Sequence, residues 1–220
     1  MAITFVGAGS VVVGVNSSIP IPTGYAVGDL LLLVCENGTN TAITTPSGWT
    51  LLSFQNASRG FSIFYKFAVA SQTAPFVTFA NGASVGVIVA YRGTNAVDTI
   101  SAYTSGTSIV LTMPTATLTT SNKNEFVISI YGWSQLFTAN ATPSGSTTSR
   151  VNWSSSAGTT NGLLIADELQ ATAGASTPRS ATLDSGAGWS TVAIAIAPTP
   201  EIPSVKIGSG WSIGAGFATF

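Results

Sequence analysis

The chain has 220 residues, enough for one large β domain, and 45% of them are hydrophobic. Only 7% are charged, against about 25% in an average soluble domain. The net charge is −1 and the seven basic residues (Arg59, Lys66, Arg92, Lys123, Arg150, Arg179, Lys206) are scattered singly, which excludes a phosphate-tracking patch and makes nucleic acid an unexpected partner.

Helix periodicity is nearly absent, while Val, Ile, Thr and aromatic residues cluster in short runs cut by Gly, Pro, Asn and Ser. The N-terminal MAITFVGAGSVVVGV has no Lys or Arg ahead of its apolar residues, so it reads as strand, not as a secretory leader. The spacing predicts strands over Ile3–Val6, Val11–Val15, Leu30–Cys35, Thr50–Phe54, Phe61–Val69, Phe76–Phe79 and Val85–Tyr91. It predicts further strands over Ile109–Met113, Phe126–Trp133, Ser149–Trp153, Gly162–Gln170, Ser180–Leu183 and Ser190–Ala197. Short strands at this spacing, with turn chemistry between them, indicate an all-β sandwich or barrel. No apolar run approaches the roughly 18 residues of a membrane span.

The run GDLLLLVCEN organises the rest. Leu30 to Cys35 are apolar at both alternating sets of positions, which predicts a central strand covered on both faces. In Phe61–Val69 one face carries Phe61, Ile63, Tyr65, Phe67 and Val69, the other Ser62, Phe64, Lys66 and Ala68. Val192, Ile194 and Ile196 alternate with alanines, so something packs closely on the alanine face. The order GDLLLLVCEN, TPSGW, FSIFYKFAV, VGVIVAYRG is echoed by NEFVISIYGW, TPSG, GLLIADELQ, TVAIAIAP. We read the echo as one sandwich built from two related halves.

The chain contains no histidine, which removes Ser-His-Asp and Cys-His catalysis; its lone Cys35 falls in the central strand and reads as a buried hydrophobe. Carboxylate chemistry would need a pair such as Glu36 with Glu125, or Asp167 with Glu168, and the latter are adjacent on a strand and point to opposite faces. Asp184-Ser185-Gly186 has too few oxygen ligands for calcium and reads as a polar turn. No catalytic residue, metal or cofactor is therefore expected, and the chain is read as a non-enzyme.

Glycine, tryptophan and hydroxyl recur in order at Trp49, Trp189 and Trp211. The rings of Trp49 and Trp189 are expected to plug the ends of the sandwich. Trp133 and Trp153 are candidates for stacking on sugar faces. Pro198, Pro200 and Pro203 then break strand pairing, which divides the chain into a sandwich over 1–198 and an extended arm over 199–220. Trp211, Ile213, Phe217 and Phe220 are the arm's candidate partner contacts.

The combination GDLLLLVCENGTNTAITTPSGWTLL, FSIFYKFAV and VIVAYRG resembles a β-sandwich module common in tailed-bacteriophage structural proteins. The resemblance covers roughly residues 1–198 and implies a jelly-roll-like antiparallel sandwich. It also implies a virion setting with assembly in the host cytoplasm, and transfers no catalytic residue. The implied role is capsid decoration (cement), in contact with the major capsid protein, as a homo-oligomer with a trimer favoured. The alternative is a tail fibre or receptor-binding component that grips carbohydrate.

Overall fold

Strands alone make up the regular structure of the computed structural model, which describes residues 1–37, 41–55, 59–80, 84–135, 141–155 and 160–200. Trp211, Ile213, Phe217 and Phe220 of the arm lie outside the described residues. The first half supplies β1 (Thr4–Ala8), β2 (Val12–Val13), β3 (Asn16–Ser18), β4 (Leu30–Asn37), β5 (Thr50–Gln55), β6 (Gly60–Phe67), β7 (Phe76–Thr78) and β8 (Val85–Arg92). The second supplies β9 (Thr94–Ile100), β10 (Thr104–Pro114), β11 (Thr119–Thr120), β12 (Glu125–Gln135), β13 (Ala141–Pro143), β14 (Thr148–Ser154), β15 (Thr160–Gln170), β16 (Gly174–Ala175) and β17 (Ser180–Pro198).

Two antiparallel sheets face each other. The first runs β1-β8-β4-β6-β5, and the second runs β10-β17-β12-β15-β14. The orders are the same once corresponding strands are matched. β2 extends the β8 edge as β9 and β10 share the length of β17, and the ribbon β3–β7 has its counterpart in β11–β16. Only β13 lacks a counterpart among the described strands. Each pair of echoed segments falls on matched strands: β4 with β12, β6 with β15, β8 with β17, and both TPSG turns just ahead of β5 and β14.

The all-β antiparallel sandwich is therefore as the sequence indicates, but its path differs from a jelly roll. Each half of the chain completes its own sheet, where a jelly roll distributes two Greek keys over both sheets. The two strands expected at Ser180–Leu183 and Ser190–Ala197 are one, β17. Asp184-Ser185-Gly186 lies within that strand, where its register with β10 shifts, and is not a turn between strands.

The core explains the arrangement. Leu30, Leu32 and Val34 of β4 point inward with Phe61, Ile63, Val87 and Val89. They meet Ile128, Ile130, Leu163, Ile165, Val192, Ile194 and Ile196 from the second sheet. Burying each such side chain contributes about 1.5–3 kcal/mol, so this interleaved layer is the main source of stability. Leu31, Leu33 and Cys35 face the other way, under Ile19, Ile43, Trp49, Val77 and Phe79. β4 is thus covered on both sides, which its unbroken apolar run requires. The alanine face of β17 packs under Leu118, and Ser101 clamps Ala193 through Ser101 N–H to the Ala193 carbonyl (2.8 Å) and Ala193 N–H to Ser101 Oγ (2.9 Å).

Candidate functional site

Four of the chain's eight acidic residues, Asp29, Glu36, Asp167 and Glu168, are buried in ion pairs. All four arginines form ion pairs, each with a carboxylate that is buried: Arg59 with Glu36, Arg92 with Asp29, Arg150 with Asp167, and Arg179 with Glu168. A desolvated carboxylate is tolerable only when paired and hydrogen-bonded, so each arginine is fixed in place by its partner. Two of the pairs tie the sheets together, one at each end.

At the first end, Arg59 leads into β6 and its guanidinium bridges Glu36 of β4 and Asn161 of β15. The Arg59 N–H donates to Ser190 Oγ of β17 at 3.1 Å. Glu36 is fully buried, and burial pushes its carboxyl up to about 7 against the pull of the Arg59 guanidinium. Glu36 Oε2 and Asn161 Nδ2 have no protein partner, an acceptor and a donor left over in one cluster.

At the opposite end, Tyr91 of β8 donates to Asp167 Oδ2 at 2.9 Å, and Arg150 Nε donates to the same oxygen at 2.8 Å. The Arg150 guanidinium also lies 4.5 Å from the centre of the Phe5 ring on β1, which closes one side of the sandwich with a cation–π contact. Burial, then the neighbouring Asp167 carboxylate, raises the Tyr91 hydroxyl well above its ordinary range and keeps it a donor.

Nearby, the turn before β12 is held by two acids. Glu125 Oε1 accepts from Asn122 N–H (2.7 Å) and Nδ2 (2.9 Å), and Asp98 Oδ2 accepts from Ser121 N–H (2.8 Å). Burial raises the Glu125 carboxyl, the Asn122 donors oppose it, and the Asp98 carboxylate beside it adds to the rise. Beside this turn opens a groove of about 880 Å³, lined by Met1, Ile3, Asn124, Phe126, Leu169 and Pro200. It sits where the chain begins and where the last described residues leave: the Met1 ammonium donates to the Thr199 carbonyl at 3.2 Å, and Thr199 N–H to the Gly93 carbonyl at 2.8 Å.

The carboxylate pairs considered from sequence are not brought together. Glu36 contacts Gly132 late in β12, whereas Glu125 begins that strand, so the two occupy opposite ends of the sandwich. Asp167 faces inward to Tyr91, and Glu168 faces outward to Arg179 and Ser146. Among the described residues no three His, Cys, Asp or Glu side chains gather as a metal site.

The tryptophans also need correction. Trp133 is fully buried, its ring lying over Gly162, and it offers no face to a sugar. Trp153 is half-buried on the edge strand β14. Trp49 and Trp189 are buried as expected, but they cover the outer faces of the two sheets and do not plug the ends. The covering role follows from neighbours: Gly162 and Gly106 leave room that the rings of Trp133 and Trp189 fill. The inter-sheet bridges were not foreseen, because Glu36 and Asn161 lie far apart in the chain from one another and from any motif. No known protein family, curated protein or solved structure matches the chain.

Proposed function

We propose that this chain is a non-enzymatic virion structural protein, a decoration (cement) protein that stabilises a tailed-phage head through contacts with the major capsid protein and its own copies. The observation that carries the reading is the direction of the charges. With every arginine committed to a buried carboxylate, few charges, Arg92, Lys123 and Asp184 among them, are exposed among the described residues, and Ser, Thr and Gly supply much of the remaining polarity. Such a surface has little charge repulsion to keep other proteins away and suits extensive, permanent contacts. The two inter-sheet bridges favour a stiff body, and the placement of the acids supports a role without catalysis. The setting rests on the GDLLLL, PSGW, FSIFYKFAV and VAYRG resemblance. A trimer seated on capsid three-fold positions is the expected form.

The test is co-sedimentation of the purified protein with tailed-phage capsids stripped of decoration. Saturable binding at hundreds of copies per particle is expected, and no binding refutes the reading. Trp153, whose ring stays partly exposed, carries the second reading, a glycan-gripping tail component. Glycan-array binding lost on Trp153→Ala, with only a few copies per virion, would favour that reading instead.

A further inference from the structure

Two carboxyl groups meet beside the turn that leads into β12, and among the described residues no basic side chain pairs with either. We infer that Glu125 and Asp98 share one proton, and that this hydrogen bond is a pH-sensitive clamp holding the turn 121–124 against β9. The clamp does not depend on the decoration reading.

The strands bring the two acids together. β17 lies between β9 and β12, and Asp98 is the extra residue where β9 slips against it, between Val97 opposite Ile196 and Thr99 opposite Ala195. A bulge of this kind re-aims the side chain it frees. Glu125 shares the outer face of β12 with Val127, since Phe126 between them packs on the core. Ala195 and Ala197, the small residues of β17 on that face, leave room for the acids to meet. Their carboxyls lie within hydrogen-bonding reach of each other. Each also grips one of two successive amides: Asp98 Oδ2 accepts from Ser121 N–H (2.8 Å) and Glu125 Oε1 from Asn122 N–H (2.7 Å). Glu125 is fully buried, and its Oε2 has no donor in the protein. Two carboxyls in contact out of water do not both ionise, so one keeps a proton. Glu125 Oε2–H then donates to the Asp98 carboxylate, a charge-assisted bond in place of a repulsion.

The matched turn ahead of β4 has the same build around a different partner. Ala26 N–H donates to Asp29 Oδ2 at 2.7 Å, and a positive φ precedes each acid, at Gly28 (88°) and Asn124 (60°). There Arg92 holds the acid with hydrogen bonds of 2.9 and 2.8 Å. Arg92 follows Tyr91, the partner of Leu30, and Ala197 follows Ile196, the partner of Phe126. Alanine thus stands where the first half keeps a guanidinium. The first acid has a permanent cation; the second has a proton that solvent can withdraw.

No other charge faces the pair among the described residues. β15 presents Gln170 opposite Glu125, its Glu168 is taken by Arg179, and β11 adds only Thr119 and Thr120. Lys123 is exposed on the turn and pairs with neither acid, and the Met1 ammonium, at the nearby groove, donates to the Thr199 carbonyl. Burial raises the Glu125 carboxyl, the Asn122 donors oppose it, and Asp98 adds to the rise. The clamp is therefore closed in acid and opens as pH rises through the folded-state value. Ser121, Asn122, Lys123 and Asn124 line the groove, so one of its walls is fixed in acid and released as the proton leaves.

The experiment follows full-length chains by NMR with isotope-labelled side-chain carboxyls. The Glu125 carboxyl should titrate above its ordinary 4.5 and fall back toward it in Asp98→Asn, which offers an amide N–H in place of the proton. Glu125→Gln carries a permanent donor, so its Ser121 and Asn122 amides should stay protected from hydrogen exchange whatever the pH. Compared with that variant at each pH, the unaltered chain should match it in acid and lose protection of those two amides as Glu125 titrates. A Glu125 midpoint unmoved by Asp98→Asn would reduce the rise to burial and overturn the inference. Equal protection in the unaltered chain and Glu125→Gln at every pH would do the same. Calcium-induced shifts of both carboxyls in acid would also overturn it, by assigning the pair to a metal. Circular dichroism checks that the variants fold, and either variant alone decides the question.

Discussion

Glu36 stands directly over Gly132: a Cβ on Gly132 would lie 2.9 Å from Glu36 Cγ and 2.6 Å from Phe61 Cζ. The two residues hold matched places in the two halves. Leu30, Leu32, Val34 and Glu36 point inward from β4 as Phe126, Ile128, Ile130 and Gly132 do from β12. Arg59 and Asn161 are matched in the same way ahead of Phe61 and Leu163. Two copies of the first half would bring two buried carboxyls together, and two of the second would leave a void. The halves fit because they are unlike where they meet.

Gly132→Ala is therefore expected to destabilise the fold by about 1–3 kcal/mol through overpacking. Gly162→Ala should cost more, because its added carbon would enter the rigid Trp133 ring. Adding Trp133→Leu should recover part of that loss, a coupling expected of side chains in contact. Urea unfolding midpoints measure all three, and an unchanged midpoint for Gly162→Ala would contradict the packing.

Arg59→Leu leaves the Glu36 carboxylate and the Asn161 carbonyl without their donor inside the sandwich. Stripping one partner from a buried pair costs about 3–5 kcal/mol. The double change Glu36→Leu with Arg59→Leu should cost less than Arg59→Leu alone. A denaturation cycle over the four chains reads the difference directly, and the reverse ranking would sink the argument.

Stability should depend on pH in a specific sense. Glu36 ordinarily titrates near 4.5 and burial lifts it to about 7, so the folded chain holds this proton more tightly than the unfolded one. Its contribution is fully present below 4.5 and is lost as pH rises toward about 7. Glu125, raised by burial and by Asp98, acts in the same direction. Asp29 acts oppositely: burial works against it, but the Arg92 hydrogen bonds and the Ala26 N–H prevail and hold it below 3.8, so its contribution fades in stronger acid. Thermal melts across pH should peak in mild acid, and Glu36→Gln should flatten the fall toward neutrality.

Cys35 should be silent in the native protein. It is fully buried in β4, and burial alone drives its thiol far above the ordinary range. A chromogenic disulfide reagent should label one thiol per chain in denaturant and almost none without it. The slow native labelling rate should track unfolding, because β4 lies between β6 and β8 and opens only when the first sheet does. Rapid labelling under native conditions would place β4 elsewhere.

The sequence made β4 legible because an apolar run on both faces has few other places to go, and Leu30–Asn37 does lie mid-sheet. The two faces of β6 were readable for the same period-two reason: Phe61 and Ile63 point inward, Phe64 and Ala68 outward. The weak echo between halves marked matched strands, since turn chemistry and core alternation repeat together. What stayed hidden was long-range. Thr94–Ile100 is a strand because Gly93, with φ of 83°, swings the chain from one sheet onto β17, although TNAVDTI has little apolar alternation. Trp133 appeared available for stacking because nothing local signals that Gly162 of the neighbouring strand leaves a seat for its ring. The candidate site was the least legible, since Glu36, Arg59 and Asn161 meet only after both sheets exist.

Because each half of the chain makes its own sheet, synthesis order imposes a waiting time. The first sheet can pair once Arg92 has emerged, whereas β17, the partner of β12 in the middle of the second sheet, ends at Pro198. At about 5–20 residues per second, the roughly 100 intervening residues take about 5–20 s. Throughout that interval the inner face of Leu32, Val34, Ile63, Val87 and Val89 has no opposite sheet. Nascent chains are then most prone to pair with one another, or to need a chaperone, and slowing translation between residues 93 and 198 should lower soluble yield more than slowing it earlier.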